Sequence, residues 1–189
     1  MKLKDTIINT ERLLLKVIDE SYARTVLDYH IRNREFLKKW EPVRGDDFET
    51  MEYHKNMLRN DMKKLSEDLG FRVWIFKKED KNFERTIGSI GLSNIIRGCF
   101  HSCHLGYKLD KDETQKGYTT EAIKAMIDFA FNKLKLHRIE ANVIPENIAS
   151  RKVVEKLGFY DEGQAIKYLK IDGKWQDHIH MVLRNEAME

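Results

Sequence analysis

The residues that most constrain the fold lie between Phe100 and Ile144. There an apolar run, "FHSCHLGYKL", passes through "DKDETQKGYTT" into "EAIKAMIDFAFNKL" and then "HRIEANVI". Ala122, Ala125, Met126, Phe129, Ala130 and Leu134 recur at three- and four-residue steps, the stripe of a helix with one covered face. Ile139, Ala141 and Val143 alternate instead, the period of a strand with one covered face. Strand, helix and strand within about 40 residues make a βαβ unit. Such a unit brings a parallel strand pair, and a sheet that contains one needs helices packed on it.

The remaining segments add to that unit. "ERLLLKVI" (Glu11 to Ile18) reads as a strand, and Asp19 caps a helix that turns Ala23, Val26, Leu27 and Ile31 inward. "NREFLKKWEPVRGDD" reads as a turn segment. The spacing of Phe48, Met51, Leu58, Met62 and Leu65 predicts a second helix from Phe48 to about Asp68, ended by Gly70. "FRVWIFKK", "TIGSIGLSNII" and "FHSCHLGYKL" are strand-like, and the short charged or glycine-bearing breaks between them predict an antiparallel meander. "ENIASRKVVEKLGF" is a short helix that starts at Asn147 and stops at Gly158. "AIKYLKI" and "KWQDHIHMVL" flank Asp172-Gly173, the signal of a type I′ hairpin. The expectation is a mixed α/β (α+β) fold with a mostly antiparallel sheet, forming one domain over residues 1–189.

Composition narrows the function. Lys and Arg number 34 against 31 Asp and Glu, a net charge of +3, too even for the concentrated positive field of a nucleic-acid-binding surface. The N-terminus has no apolar run of signal-peptide type and no stretch is long enough to span a bilayer, so a soluble cytoplasmic protein without membrane contact is expected. Cys99 and Cys103 stand among His101 and His104 like a metal box. On a strand, however, the two sulfurs are roughly 13 Å apart at about 3.3 Å per residue, beyond the reach of one ion or a disulfide. No metal site is expected.

Neither G-x-x-x-x-G-K-[ST] nor G-x-G-x-x-G occurs. What remains is a strand, a turn containing Gly117, and a helix opening at Tyr118-Thr119-Thr120. In such a turn the NH groups from Gln115 to Thr120 can converge on an anion at the positive end of a helix dipole, a pattern of low specificity because many helices start after a glycine.

"QKGYTTEA", followed one helix and one strand later by "PENIASRKVVEKLGF", resembles the acetyl-CoA-binding core of the GNAT N-acetyltransferases. "NREFLKKWEPVR", "SNIIRGCFHSCHLGYKL", "HRIEANVIPEN" and "YLKIDGKWQDH" are similar to the RimJ group of that family, which acetylates the N-terminal alanine of a ribosomal protein. The resemblance covers nearly the whole chain. It implies the GNAT fold, with the parallel pair splayed and helices on both sheet faces, and acetyl-CoA as acetyl donor.

Residue by residue, the resemblance implies that Gln115, Lys116, Gly117, Tyr118, Thr119 and Thr120 hold the CoA pyrophosphate. Asn147 flanks the pantetheine arm, and a backbone NH at Leu109 meets the thioester oxygen. The tyrosine that many GNATs carry in the Asn-led helix is Val154 here, so Ser150 is the candidate proton donor to the departing thiolate. Thr114 and Thr119 depart from the family's usual turn. His104 and Tyr107, on the strand entering the turn, and Glu140, on the next strand, are candidate bases. Trp40, Glu41 and Arg44 border the acceptor cleft. Plainer roles stand beside these: Asn147 as a helix cap for Ser150, Ser150 as a solvated first-turn serine, and Glu41 as an ion-pair partner of Lys38 or Arg44. The expected activity is acetylation of a primary amine, foremost the α-amine of a (ribosomal) protein. The alternatives are acetylation of a polyamine, amino-acid metabolite or aminoglycoside, and a degenerate CoA-binding regulatory or ribosome-assembly module.

Overall fold

The strands at residues 13–16 and 70–77 divide their side chains between two cores, and that division sets the architecture. The structure, a computed structural model, describes residues 3–189. Its elements are β1 (Ile7–Asn9), β2 (Leu13–Lys16), α1 (Ala23–Leu37), α2 (Met51–Ser66), β3 (Gly70–Lys77), β4 (Gly88–Ile96), β5 (Ser102–Leu109), α3 (Tyr118–Asn132), β6 (Arg138–Val143), α4 (Ile148–Lys156), β7 (Tyr160–Ile171) and β8 (Lys174–Arg184). The eight strands form one sheet in the order β1-β2-β3-β4-β5-β6-β8-β7. Neighbours are antiparallel except β5 and β6.

On one face Leu13, Leu15, Phe71, Val73, Ile75, Cys103, Leu105, Ile139, Ala141, Ile179 and Met181 pack against Ala122, Ile123, Met126 and Phe129 of α3 and Val154 of α4. On the other face Leu14, Trp74 and Phe76 pack against Ala23, Val26, Tyr29 and Leu37 of α1 and Leu58 of α2. Burying both faces requires apolar residues at both parities, which is why "RVWIF" reads as a continuous run. The β6 alternation holds, with Ile139, Ala141 and Val143 covered. At the β7–β8 turn Asp172 and Gly173 both have positive φ, 45° and 75°, as a type I′ turn requires.

Three local expectations are corrected. α1 does not stop before Asn33 but continues to Leu37, followed by a 3₁₀ turn at Lys38–Trp40. Asn33 is buried, donates to the Tyr29 carbonyl and accepts from the Lys111 NH, so tertiary contacts carry the helix onward. Ile31 faces outward, 49% exposed, and the inner face is filled by Tyr29, His30 and Asn33 instead. Phe48 lies in a separate 3₁₀ turn, Asp46–Glu49, and Thr50 caps α2 by accepting the Tyr53 NH. That helix ends before Asp68, which has φ 56°, and Gly70 already begins β3. Among the described residues no helix is long and apolar enough to cross a membrane.

Candidate active site

β5 and β6 pair only at Ser102–Arg138, Cys103–Ile139 and His104–Glu140. Beyond His104 the strands part, and a cleft of about 1040 Å³ runs through the opening. Strand parity gives the cleft two sides. Tyr107 and Leu109 belong with the α3/α4 face, whereas Gly106 and Lys108 point to the α1/α2 face.

The α3/α4 side is built largely from backbone. Gly117 caps α3 with φ 80°, a left-handed conformation that suits glycine, and Gln115 before it has φ 62°. Among the described residues no side chain caps this helix, so the NH groups of its first turn lack intrahelical partners. A Cβ at position 117 would lie 3.3 Å from Arg12 Nη2. Arg12 braces the turn by donating to the Lys116 carbonyl at 2.9 Å and pairing with Glu121 at 2.7 Å. Lys116 is drawn away from the cleft, its Nζ donating to the Asp112 carbonyl and to Glu113. Burial of Glu113 opposes its ionisation, but hydrogen bonds from Lys77 and Lys116 outweigh it and hold the carboxyl below the usual range. Thr114, Gln115 and Thr119 line the cleft.

Asn147 caps α4, its Oδ1 accepting the Ser150 NH at 3.2 Å, and both residues line the cleft. Across from them, the Tyr107 hydroxyl lies 2.6 Å from Ser150 Oγ and donates to the Ser150 carbonyl at 3.1 Å. Burial pushes the Tyr107 phenol up to about 12, with the Ser150 contact pulling the other way. Tyr107 therefore keeps its proton at neutral pH. Two hydroxyls in short contact form a proton-carrying pair at the throat of the cleft.

The α1/α2 side is built from side chains. Trp40, Glu41 and Arg44 line it, joined by His30, Met57, Asn60, Asp61, Lys64, Arg72 and Lys108. Glu41 is not free: it pairs with Lys108 at 2.7 Å and with Arg44 at 3.3 Å, and its carbonyl accepts the Asp172 NH of the β7–β8 turn. Burial pushes the Lys108 ammonium down to about 8 against the pull of Glu41. Asp61 Oδ2 is buried without a hydrogen bond, 3.5 Å from Arg72 Nε, and burial raises its pKa. His30 and His54 stack at 5.1 Å, and burial lowers the pKa of each. His104 is outside the cleft lining, its Nδ1 3.2 Å from Asn94 Nδ2 and its Nε2 3.7 Å from Glu140. Tyr118 and Thr120 stand in the first turn of α3 and also outside the lining.

Leu109, Thr119, Gln115, Asn147, Ser150 and Tyr107 line one cleft together with Trp40, Glu41 and Arg44. The sequence reading misses His30, Asp61, Arg72 and Lys108. A signal for Asp61 exists in α2, where Met57, Asn60, Asp61 and Lys64 repeat at helical spacing beside the apolar stripe. No local pattern marks Arg12 as the brace of a turn about a hundred residues away.

A mostly antiparallel sheet split at its one parallel pair, with a glycine-capped helix on one side of the split, defines an acyl-CoA-type transferase architecture, and comparison with known proteins agrees. Residues 12–160 match the acetyltransferase (GNAT) domain family. The chain is 37% identical over 173 residues to a probable N-acetyltransferase, YjcK, of Bacillus subtilis, covering 92% of this chain and 94% of that one. Among solved structures it matches a ribosomal-protein-S5-alanine acetyltransferase from Vibrio fischeri with a TM-score of 0.90 at 38% identity, over 98% of this chain and 100% of that one. It also matches Mycobacterium smegmatis RimJ in complex with CoA-disulfide, with a TM-score of 0.89 at 25% identity, over 98% and 90% of the two chains. The chain belongs to the GNAT family and is an acetyltransferase with RimJ-type relatives.

Proposed function

We propose that this enzyme transfers the acetyl group of acetyl-CoA to the α-amine of a protein N-terminus, with a ribosomal protein as the acceptor and the cytoplasm as its place of action. The observation that carries the reading is the split between β5 and β6, which joins a glycine-capped helix N-terminus on one face to a side-chain-lined cleft on the other. Relatives named for ribosomal-protein alanine acetylation support the choice of acceptor.

The residues fit the donor. The NH groups of Lys116 to Thr120 would hold its pyrophosphate, and Gly117 leaves room for close approach. Asn147 and the free edge of β5 at Leu109 would meet the pantetheine amides and the thioester oxygen. Acetyl-CoA supplies an activated acyl group. Ser150, backed by Tyr107, gives the departing sulfur its proton.

The acceptor class follows from proton cost. An α-amine near pKa 7.8 is neutralised at pH 7 for about 1 kcal/mol, whereas a lysine near 10.4 costs about 4.6 kcal/mol. Trp40, Arg44 and the Glu41–Lys108 pair then border the acceptor's first residues.

The test incubates the protein with labelled acetyl-CoA and peptides beginning in Ala, Ser or Met, beside spermidine, free lysine and kanamycin. Acetylation of the peptides at the α-amine is the expected result. Labelling confined to the small amines would replace the protein acceptor by a small-molecule one. A thermal shift with acetyl-CoA but no transfer to any amine would leave a binding module only.

A further inference from the structure

The α1/α2 face carries a second cluster of titratable groups at the point where β5 and β6 part. Glu140 is the last β6 residue paired with β5. Its carboxylate is well covered, with Arg138 Nη2 donating to Oε2 at 3.2 Å and His104 Nε2 3.7 Å from Oε1. His180 of β8 brings Nδ1 to 2.9 Å from the same Oε1. A ring nitrogen that close to a carboxylate oxygen carries the proton, since two lone pairs would repel. In the neutral ring the free lone pair is then on Nε2.

That Nε2 is buried and, among the described residues, has no hydrogen-bond partner. Asn142, directly across from His180 in the β6–β8 register, has its Oδ1 buried and without a partner among the described residues as well. Asn142 is two residues beyond Glu140, on the stretch of β6 that β5 has left. On the β5 side of the opening Gly106 lines the cleft, and a Cβ there would meet nothing within 4 Å. Two neighbouring buried acceptors without a donor are costly unless a donor-rich group completes them. An amine is such a group, carrying N–H donors and no competing carbonyl.

We infer that Glu140, His180 and Asn142 form the amine end of the acceptor site, with His180 as proton acceptor. Asn142 Oδ1 and His180 Nε2 receive the amine's N–H groups, directly or through one water. As the amine nitrogen bonds to the acetyl carbon and the carbon–sulfur bond breaks, the amine's proton passes to His180 Nε2. The resulting imidazolium is stabilised by Glu140, and the sulfur takes its proton from the Ser150 side of the split. The proton on His180 returns to solvent after product leaves. Base and acid thus stand on opposite faces of the sheet. The other groups around the pair are Arg138, which also pairs with Glu162 at 2.6 Å, His104 on β5, and Tyr168, whose ring sits edge-on to His180 at 4.9 Å and to His178 at 5.7 Å.

This inference rests on amine acetylation but not on the amine being a protein N-terminus. Its test compares wild type, H180Q and E140Q from pH 6 to pH 9, using whichever amine of the panel the wild type acetylates, with acetyl-CoA affinity measured by calorimetry. For H180Q, kcat/KM at pH 7 falls about 100-fold while acetyl-CoA affinity stays within twofold. E140Q, which keeps an acceptor for Nδ1 but loses the charge, falls about tenfold. An H180Q enzyme within threefold of wild type across the range overturns the inference and leaves the proposed function standing. A loss shared by acetyl-CoA affinity also overturns it, by marking a packing defect. Wild type that acetylates no amine removes both readings.

Discussion

The two sides of the cleft are made of different material. On the α3/α4 side the turn at 114–120 offers backbone NH groups, fixed by two positive-φ residues and an arginine brace. On the α1/α2 side the lining comes from α1, the 38–48 segment, α2, β3, β4 and β5, and is rich in charged and aromatic side chains. A backbone-built site depends on shape and holds a constant ligand; a site built from side chains depends on identity and can be retuned. This difference fits one donor shared across a family and acceptors that vary within it.

The contrast can be broken in several ways, the largest on the backbone side. Gly117→Asp places a Cβ beside Arg12, forces φ 80° on a non-glycine residue and sets a negative charge at the anion site. Acetyl-CoA affinity should fall at least 100-fold by calorimetry, while the acid stability profile is unchanged. Gly117→Ala, with the same strain and no charge, should show a smaller loss.

Acidification should reach the side-chain side first. His30 and His54 are held neutral by burial, so below about pH 6.5 the unfolded chain takes up protons that the folded chain does not, and stability falls as pH drops. Lowered carboxylates such as Glu113 lose their contribution only at lower pH. Denaturant melts at pH 7 and 5 measure the total. Hydrogen exchange should show α1 and α2 losing protection before α3 and α4.

Ser150→Ala should lower kcat about 100-fold with acetyl-CoA affinity nearly intact, and Tyr107→Phe should cost less, since it removes only the second hydroxyl of the pair. Equal losses in both, read by single-turnover kinetics, would instead make Tyr107 the immediate donor. The smallest effect is Glu41→Gln, which leaves Lys108 covered without its counter-charge. Stability should drop by about 1–2 kcal/mol, and the acceptor KM should rise without any change in acetyl-CoA affinity.

Legibility in the sequence followed the same division. The βαβ unit, the meander, the hairpin and the Asn147 cap are local patterns, readable because period and turn chemistry fix them within a few residues. Gly117 was readable for the same reason. The acceptor side was readable only at "KKWEPVR", because its other groups sit on elements whose inward stripes advertise the core and not the cleft. His180 gave no signal at all: in "QDHIHMVL" it is one alternating position among others, and its meaning comes from Glu140 lying across the sheet. The extension of α1 past Asn33 was hidden likewise, since its cause is the distant Lys111 NH.

The central claim is that donor and acceptor reach the split from opposite faces of the sheet. A crystal structure with CoA joined through an acetyl bridge to the α-nitrogen of an alanine-led peptide tests it most directly. The expected complex has the pyrophosphate on the NH groups of Lys116 to Thr120, the bridge between β5 and β6, and the peptide nitrogen at Asn142 and His180 with the chain leaving past Arg44 and Asp61. A peptide that leaves over α3 or α4, on the same face as the CoA, would contradict it.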